Sequence, residues 1–450
     1  MPSADPLAER AFGLVARRLI PLFVLGLVLM QIDRSNISFA ALQLSKAHGL
    51  TAELFGLAAG IFFVGYALFE LPSNMVLQRV AVNRWLGTLL LLWGGMTALQ
   101  AFAPNATFLI CIRFVLGAFE GGFLPGVIYV LTLWLPAAHR SRASALVTLA
   151  APLGAIIGGP LAGSLLGLSV AGLAGWQCLF LIEGVATALY GLVFMAVIPR
   201  GPDKARWLPA PHRKALMDTL AAERATRAAD HHNARSFAGA LKKPAMWIYA
   251  MAYMIMAIVF YGILFWLPQI IQNGFPGLTT SENGFLSAIP FACAALTLVL
   301  VGYTSDRTGD RRWHLVAFGL VSAAGLLLSN VFGNPVVAFV ALCIAISCSL
   351  GYTGVFWSSP MTVLSAAAAA GGIAVINSIG NLGGFLGPYI AGLLTGSTHD
   401  FSRAVTFFAA ALVVAGVIPT VFPKWFPNAR TFGTGSTSEL AERNEADSPA

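Results

Sequence analysis

The sequence predicts an all-α membrane protein whose twelve transmembrane helices form two six-helix bundles. Three observations predict it: a composition too apolar for water, twelve separate runs long enough to cross a bilayer, and a repeat that relates the two halves. Of the 450 residues, 57% are apolar and only 10% are charged, against about 25% charged in an average soluble domain. The mean hydropathy is +0.77. Most of such a surface must face lipid.

Apolar runs of about 20 residues, the length that crosses ~30 Å of hydrocarbon, fall near 18–40, 53–77, 84–103, 107–132, 140–166 and 176–198 in the first half. The second half supplies 245–272, 281–302, 313–331, 334–357, 366–395 and 402–425. The first run follows a polar stretch carrying Arg10, Arg17 and Arg18. It is too long for a signal-peptide core and lacks a small-residue cleavage site, so it is expected to remain as an anchor.

A net charge of +8 would suggest nucleic acid in a soluble chain. Here the bilayer explains it. With both termini placed in the cytoplasm, all but four of the 27 Lys and Arg fall on the inner side. Lys46 and Arg403 lie outside, while Arg34 and Arg113 lie within the membrane. Because Lys and Arg in short loops resist translocation, this asymmetry predicts both termini inside. No nucleic-acid partner is needed.

Residues 199–243 are polar, contain Pro199, Pro202, Pro209 and Pro211, and divide the chain six spans from six. The expected organisation is a bundle over 1–198, a cytoplasmic linker over 199–243 with a short surface helix near 213–229, a second bundle over 244–426, and a disordered cytoplasmic tail over 427–450. A shift of 228 residues superposes Gly56, Arg79, Arg84 and Trp85 on Gly284, Arg307, Arg312 and Trp313. The same shift carries Gly159, Pro160, Leu165 and Leu166 onto Gly387, Pro388, Leu393 and Leu394. One offset serving two distant segments points to duplicated halves with a substrate path between them.

Ionisable residues at membrane depth cost at least ~2.5 kcal/mol each at a helix centre and therefore mark function by default. Asp33 and Arg34 lie in span one, and Arg113 and Glu120 in span four; the second half has no counterpart beyond Glu282 at a mouth. Arg113 and Glu120 share a helix face but stand about 10.5 Å apart along the axis, so each is expected to look across to another helix. Two cations beside two carboxylates make a nearly neutral set, in which an anion can pair with the arginines when a carboxyl takes up a proton. The alternative is a structural ion-pair cluster that fixes register.

Other polar positions carry weaker signals. Glu70 precedes Pro72 near a cytoplasmic helix end and reads as a gate or helix-end contact, and Glu183 in span six reads as structural. The run Gly154-x-x-x-Gly158-Gly159-Pro160 resembles a glycine-proline motif of drug antiporters, but small residues spaced by four let helix backbones approach closely. Gly159, Pro160, Gly387 and Pro388 are accordingly assigned to helix packing and rocking. The five cysteines sit in apolar runs without CxxC spacing and read as small core residues. The sequence holds no Walker loop, nucleotide fingerprint or metal-ligand cluster, so neither an enzyme nor a cofactor is expected.

The loop Gly302-Tyr-Thr-Ser-Asp306-Arg307-Thr-Gly309-Asp-Arg311-Arg312 resembles the cytoplasmic G-x-x-x-D-R-x-G-R-R loop of the major facilitator superfamily, where acid and base form a charge network. In the first half the corresponding place reads Gln78-Arg79, so the acidic member is missing there. Four further segments are quoted as they stand: Asp33-Arg34-Ser35-Asn36-Ile37; Phe63-x-Gly65-Tyr66-x-x-Phe69-Glu70-x-Pro72-Ser73-Asn74; Arg113-Phe114-x-Leu116-Gly117-x-x-Glu120; and Ile376-Asn377-Ser-Ile-Gly380-Asn381. Together they resemble the anion:cation symporters, which include tartrate, galactonate and phthalate transporters. The resemblance implies uptake of small organic carboxylates with protons by alternating access. It implies Asp33 and Glu120 as proton carriers, Arg34 and Arg113 as groups that meet the substrate carboxylate, and Tyr66, Trp357 and Asn377 as lining, with helix packing the alternative for Trp357 and Asn377, which lie nearer the cytoplasmic end than the charged cluster. Tartrate-type or sugar acids are expected first and aromatic acids next, carried by a monomer in a bacterial inner membrane. Two rivals stand beside this: an efflux antiporter of the same fold, and a membrane sensor that signals through the 199–243 loop.

Overall fold

The computed structural model describes residues 6–77, 79–230, 243–360, 366–398 and 400–426. Gln78 and the tail over 427–450 lie outside the described residues. Helices dominate throughout. The first half contains α1 (Pro6–His48), α2 (Ala52–Leu77), α3 (Val82–Gln100), α4 (Ala106–Glu120), α5 (Phe123–Trp134), α6 (Ala137–Thr148), α7 (Ala150–Leu166) and α8 (Gly175–Val197). After a 3-10 turn at Pro202–Lys204 come α9 (Ala210–Asp230), α10 (Pro244–Gly274), α11 (Thr280–Thr308), α12 (Arg311–Val331), α13 (Pro335–Phe356), α14 (Ala366–Thr395) and α15 (Ser402–Val421).

Ten segments among the described residues are long and apolar enough to cross a membrane. The other two expected spans coincide with α3, which Asn83, Arg84 and Gln100 make less apolar, and with α14. The all-α fold of twelve spans is therefore present. Span four breaks into α4 and α5 at Gly121–Gly122, and span five breaks into α6 and α7 around Leu149. Helix starts follow local chemistry. Asn105 caps α4 by accepting from the Phe108 N–H at 2.9 Å, and Asp310 caps α12 by accepting from Trp313 at 3.2 Å, each satisfying a donor that no helical turn can reach.

The sequence places the first span at 18–40, but α1 begins at Pro6 and runs 43 residues. Its early turns are amphipathic, and Phe12, Val15 and Leu19 share one buried cluster with Leu216 and Leu220 of α9. The surface helix expected near 213–229 is thus longer and covers this extension. Arg18 lies over the Trp207 ring at 4.9 Å, Trp207 stacks with Trp134, and Arg140 pairs with Glu223 at 3.6 Å.

By packing, the chain forms two compact units. The first comprises Met1–Ala234, Tyr261–Ile289 and Gly384–Phe401, and the second comprises Arg235–Phe260, Pro290–Gly383 and Ser402–Ala450. Inside the first unit, the ends of α10, α11 and α14 pack against helices of the first half. A Cβ built on Gly159 would come 2.5 Å from the Gly284 carbonyl oxygen, and one on Gly60 would come 2.6 Å from that of Phe385. Inside the second unit, α12 packs against α13 and α15. Ser322 donates to the Ala345 carbonyl at 2.7 Å, and Tyr352 donates to that of Ala415 at 3.1 Å.

Candidate functional site

The charged cluster of the first half lies in the first unit, where α1, α2 and α4 meet. Glycines determine how closely they meet. A Cβ on Gly65 of α2 would clash with the Phe114 carbonyl, and one on Gly117 of α4 would clash with that of Phe62. Only hydrogen at both positions lets the two backbones touch. Close approach sets Phe62 and Tyr66 against the guanidinium groups that α1 and α4 carry.

Arg34 donates through Nε and Nη2 to Glu120 Oε1 at 2.9 and 2.5 Å. Its Nη1 reaches the Tyr261 hydroxyl on α10 at 3.4 Å. The guanidinium stands 5.3 Å from the ring centroids of both Phe62 and Tyr66. Glu120 is fully buried, a burden that its charge-assisted bonds to Arg34 offset.

Arg113 is also fully buried, yet it is bonded differently. Its Nε donates to the Ala58 carbonyl at 3.3 Å, and the Phe62 ring lies 5.0 Å from its Cζ. Nη1 and Nη2 have no hydrogen-bond partner. A buried cation with unmet donors is costly. Its two N–H groups form one edge of a planar fork, the shape that grips a carboxylate in a bidentate manner.

Asp33 departs from the expected shared cluster. Successive residues on a helix point about 100° apart, so Asp33 and Arg34 bond to different neighbours, although Arg113 and Glu120 of α4 stay within electrostatic range of Asp33. Asp33 Oδ2 accepts from the Trp93 indole at 2.7 Å and the Thr187 hydroxyl at 2.8 Å. Asp33 is 1% exposed and Oδ1 has no partner.

Tyr66, expected to line the site, is buried beside Arg34. Trp357 and Asn377 belong to the second unit, where Trp357 packs edge-on against Tyr253 at 4.8 Å and Asn377 is half-buried. Glu70, one turn beyond Tyr66 on α2, is half-buried. Asp306 and Arg307 are exposed at the end of α11, and Arg307 donates to Tyr303 at 3.4 Å. Gly159 touches Gly284, while the Pro388 carbonyl lies against Gly56 and accepts from Trp266 at 3.1 Å. Gly387 is buried beside it. Sequence reasoning missed Trp93, Thr187 and Tyr261. The one available signal was an indole N–H inside an apolar run, which needs a partner when buried.

The family model described as Major Facilitator Superfamily matches residues 23–388 and 276–441. A putative tartrate transporter of Agrobacterium vitis is 38% identical over 429 residues, covering 94% of this chain and 94% of that protein. A quinolone resistance transporter of Acinetobacter baumannii is 36% identical, covering 90% of this chain and 93% of its own. The fold is similar to that of a bacterial homolog of the human lysosomal transporter Spinster, with a TM-score of 0.72 at 18% identity, covering 92% of this chain and 96% of that one. These proteins are transporters rather than enzymes. With twelve spans and these matches, the chain belongs to the Major Facilitator Superfamily, among members that resemble the anion:cation symporters.

Proposed function

We propose that this transporter imports small organic carboxylates together with protons, by alternating access across a bacterial inner membrane. The single observation that carries the reading is Arg113, a fully buried guanidinium with two unpartnered N–H-bearing nitrogens beside an aromatic ring. A carboxylate would satisfy both. Arg34 is held by Glu120, so a proton on Glu120 weakens that hold and frees a second guanidinium for the anion, which couples proton and substrate. Asp33 is the other proton carrier. Tyr66 lines the site from α2.

In this reading both termini are cytoplasmic and a monomer carries out the cycle. Glu70, Asp306 and Arg307 act at the cytoplasmic ends, and the Gly159-Pro160 and Gly387-Pro388 turns let helices rock. The tartrate transporter relatives favour hydroxylated dicarboxylates as first substrates to try. Purified protein should be screened by thermal shift against organic acids, because a ligand that binds the native state raises its apparent stability. Hits should then be tested for uptake into proteoliposomes driven by an inward proton gradient. Uptake of no carboxylate under any gradient overturns the reading.

A second reading, proton-coupled efflux, is favoured by the quinolone resistance relative. Proton-driven accumulation of a fluorescent drug inside inverted vesicles, abolished by a protonophore, would support it over import.

A further inference from the structure

The first unit buries a second carboxyl group that the substrate site does not use. Glu183 on α8 is 5% exposed. Its Oε2 accepts from the Asn36 side-chain amide at 3.1 Å, and its Oε1 has no partner. A purely structural carboxylate at this depth needs a cation or a full set of donors to offset its burial. Glu183 has one neutral amide.

Helix register ties Glu183 to Asp33. Trp93 of α3 and Thr187 of α8 converge on Asp33 Oδ2. One turn further along each of three helices stands another polar residue: Asn36 on α1, Thr97 on α3 and Glu183 on α8. The α3 and α8 backbones touch at this level, since a Cβ on Gly184 would come 2.6 Å from the Gly94 carbonyl. Thr97 Oγ1, Asn36 Oδ1 and Asp33 Oδ1 are buried without partners, as are both polar atoms of the Gln100 side chain one turn beyond Thr97. From Asp33, this tier leads toward the bundle end that holds His48, Gln100 and Gly175. The charged groups within electrostatic range of Asp33 are Arg113 and Glu120 of α4 and Glu183 of α8, while α3 presents neutral Trp93, Thr97 and Gln100.

We infer that Glu183 is a proton-binding group that exchanges protons with Asp33, so that Glu183, Asn36, Thr97 and Gln100 form a proton path through the first half, separate from the substrate arginines. In the step itself, the O–H bond of the Glu183 carboxyl breaks and one forms on the Asp33 carboxylate; Glu183, left ionised, takes its next proton from the outer end of the bundle. One proton shared between the two acids spares the protein a second uncompensated buried charge. The inference rests on the proton-symport reading, and the experiment separates the two.

Wild type, E183Q and E183D should be compared in proteoliposomes by labelled-substrate exchange at equal pH, by accumulation on an inward proton gradient, and by substrate-induced pH change outside the vesicles. E183Q keeps an acceptor for Asn36 but cannot carry a proton. It should hold exchange within about twofold while accumulation falls about tenfold or more, the scale expected on losing a positioned proton carrier. E183D should recover part of the loss. Undiminished accumulation by E183Q overturns the inference, and so does a parallel loss of exchange and accumulation in both variants, which marks a structural role. If wild type shows no substrate-induced pH change, the symport reading itself fails, a result distinct from either. Should E183Q not reach the membrane, infrared difference spectra between acid and alkaline buffer decide: a carboxyl C=O band that moves in E183D supports the inference, and identical spectra overturn it.

Discussion

Asp33 and Arg34 are neighbours in sequence and belong to different networks in the structure. Asp33 accepts from Trp93 and Thr187, whereas Arg34 donates to Glu120 and Tyr261. Consecutive positions on one helix thus connect α1 to α3 and α8 on one side and to α4 and α10 on the other. Under the proposed mechanism, this separation would let proton binding and anion binding be perturbed one at a time.

Arg113→Lys retains the charge and loses the fork. Binding of the transported acid should weaken by about 1.5 to 3 kcal/mol, the range for a charged hydrogen bond. Calorimetric titration of the purified variant checks this. Affinity unchanged for every acid that wild type binds would remove Arg113 from the site.

Glu120→Gln mimics the protonated acid and relaxes the grip on Arg34. Exchange of labelled substrate across vesicles should persist, and uphill uptake on a proton gradient should be lost. A variant that still concentrates substrate would leave Glu120 as a structural partner of Arg34.

Asp33→Asn should leave substrate affinity nearly intact, because no bond joins Asp33 to an arginine, while proton-driven accumulation collapses. Equilibrium binding and uptake measured on the same preparation separate the two effects. A large affinity loss would mean that Asp33 takes part in anion binding after all. Trp93→Phe provides a companion measurement: it removes one of two donors to a buried carboxyl group and should cost about 1 to 3 kcal/mol of stability, visible as a lowered melting temperature.

Gly159→Leu should reduce folded yield whatever substrate is present, since its side chain would be driven into the Gly284 backbone. Gly284→Leu meets the same contact from the other side and should fail likewise. Size-exclusion profiles in detergent report the outcome, and a well-folded Gly159→Leu protein that has lost only proton coupling would contradict a packing role.

The fold was readable because hydropathy and charge asymmetry are summed over whole spans, and no single residue decides them. Asp33, Arg34, Arg113 and Glu120 stood out as candidates because an ionisable group at membrane depth is conspicuous in any apolar run. Their pairing was less legible. Spacing shows that Arg113 and Glu120 cannot bond each other along α4, but only the tertiary arrangement, in which the Arg34 side chain reaches from α1 to α4, selects Arg34 as the partner of Glu120. Tyr261 lies 227 positions from Arg34, and no local pattern announces such a contact. Trp93 and Thr187 are uncharged and look like ordinary span residues until Asp33 is placed between them. The length of α1 was underestimated for a different reason: the polar residues that seem to end a span continue as an amphipathic helix once α9 covers one face.

The unbroken run of α1 from Phe12 to Arg34 has a mechanical consequence. Twenty-two residue steps of helix make a lever arm of about 33 Å, with Asp33 and Arg34 near one end and the patch against α9 at the other. A swing of α1 that carried past Pro21 would reach the stacked indoles of Trp134 and Trp207 beneath Arg18. The tryptophan pair would thus serve as a built-in optical gauge at the α9 end of α1, far from the chemistry it would report.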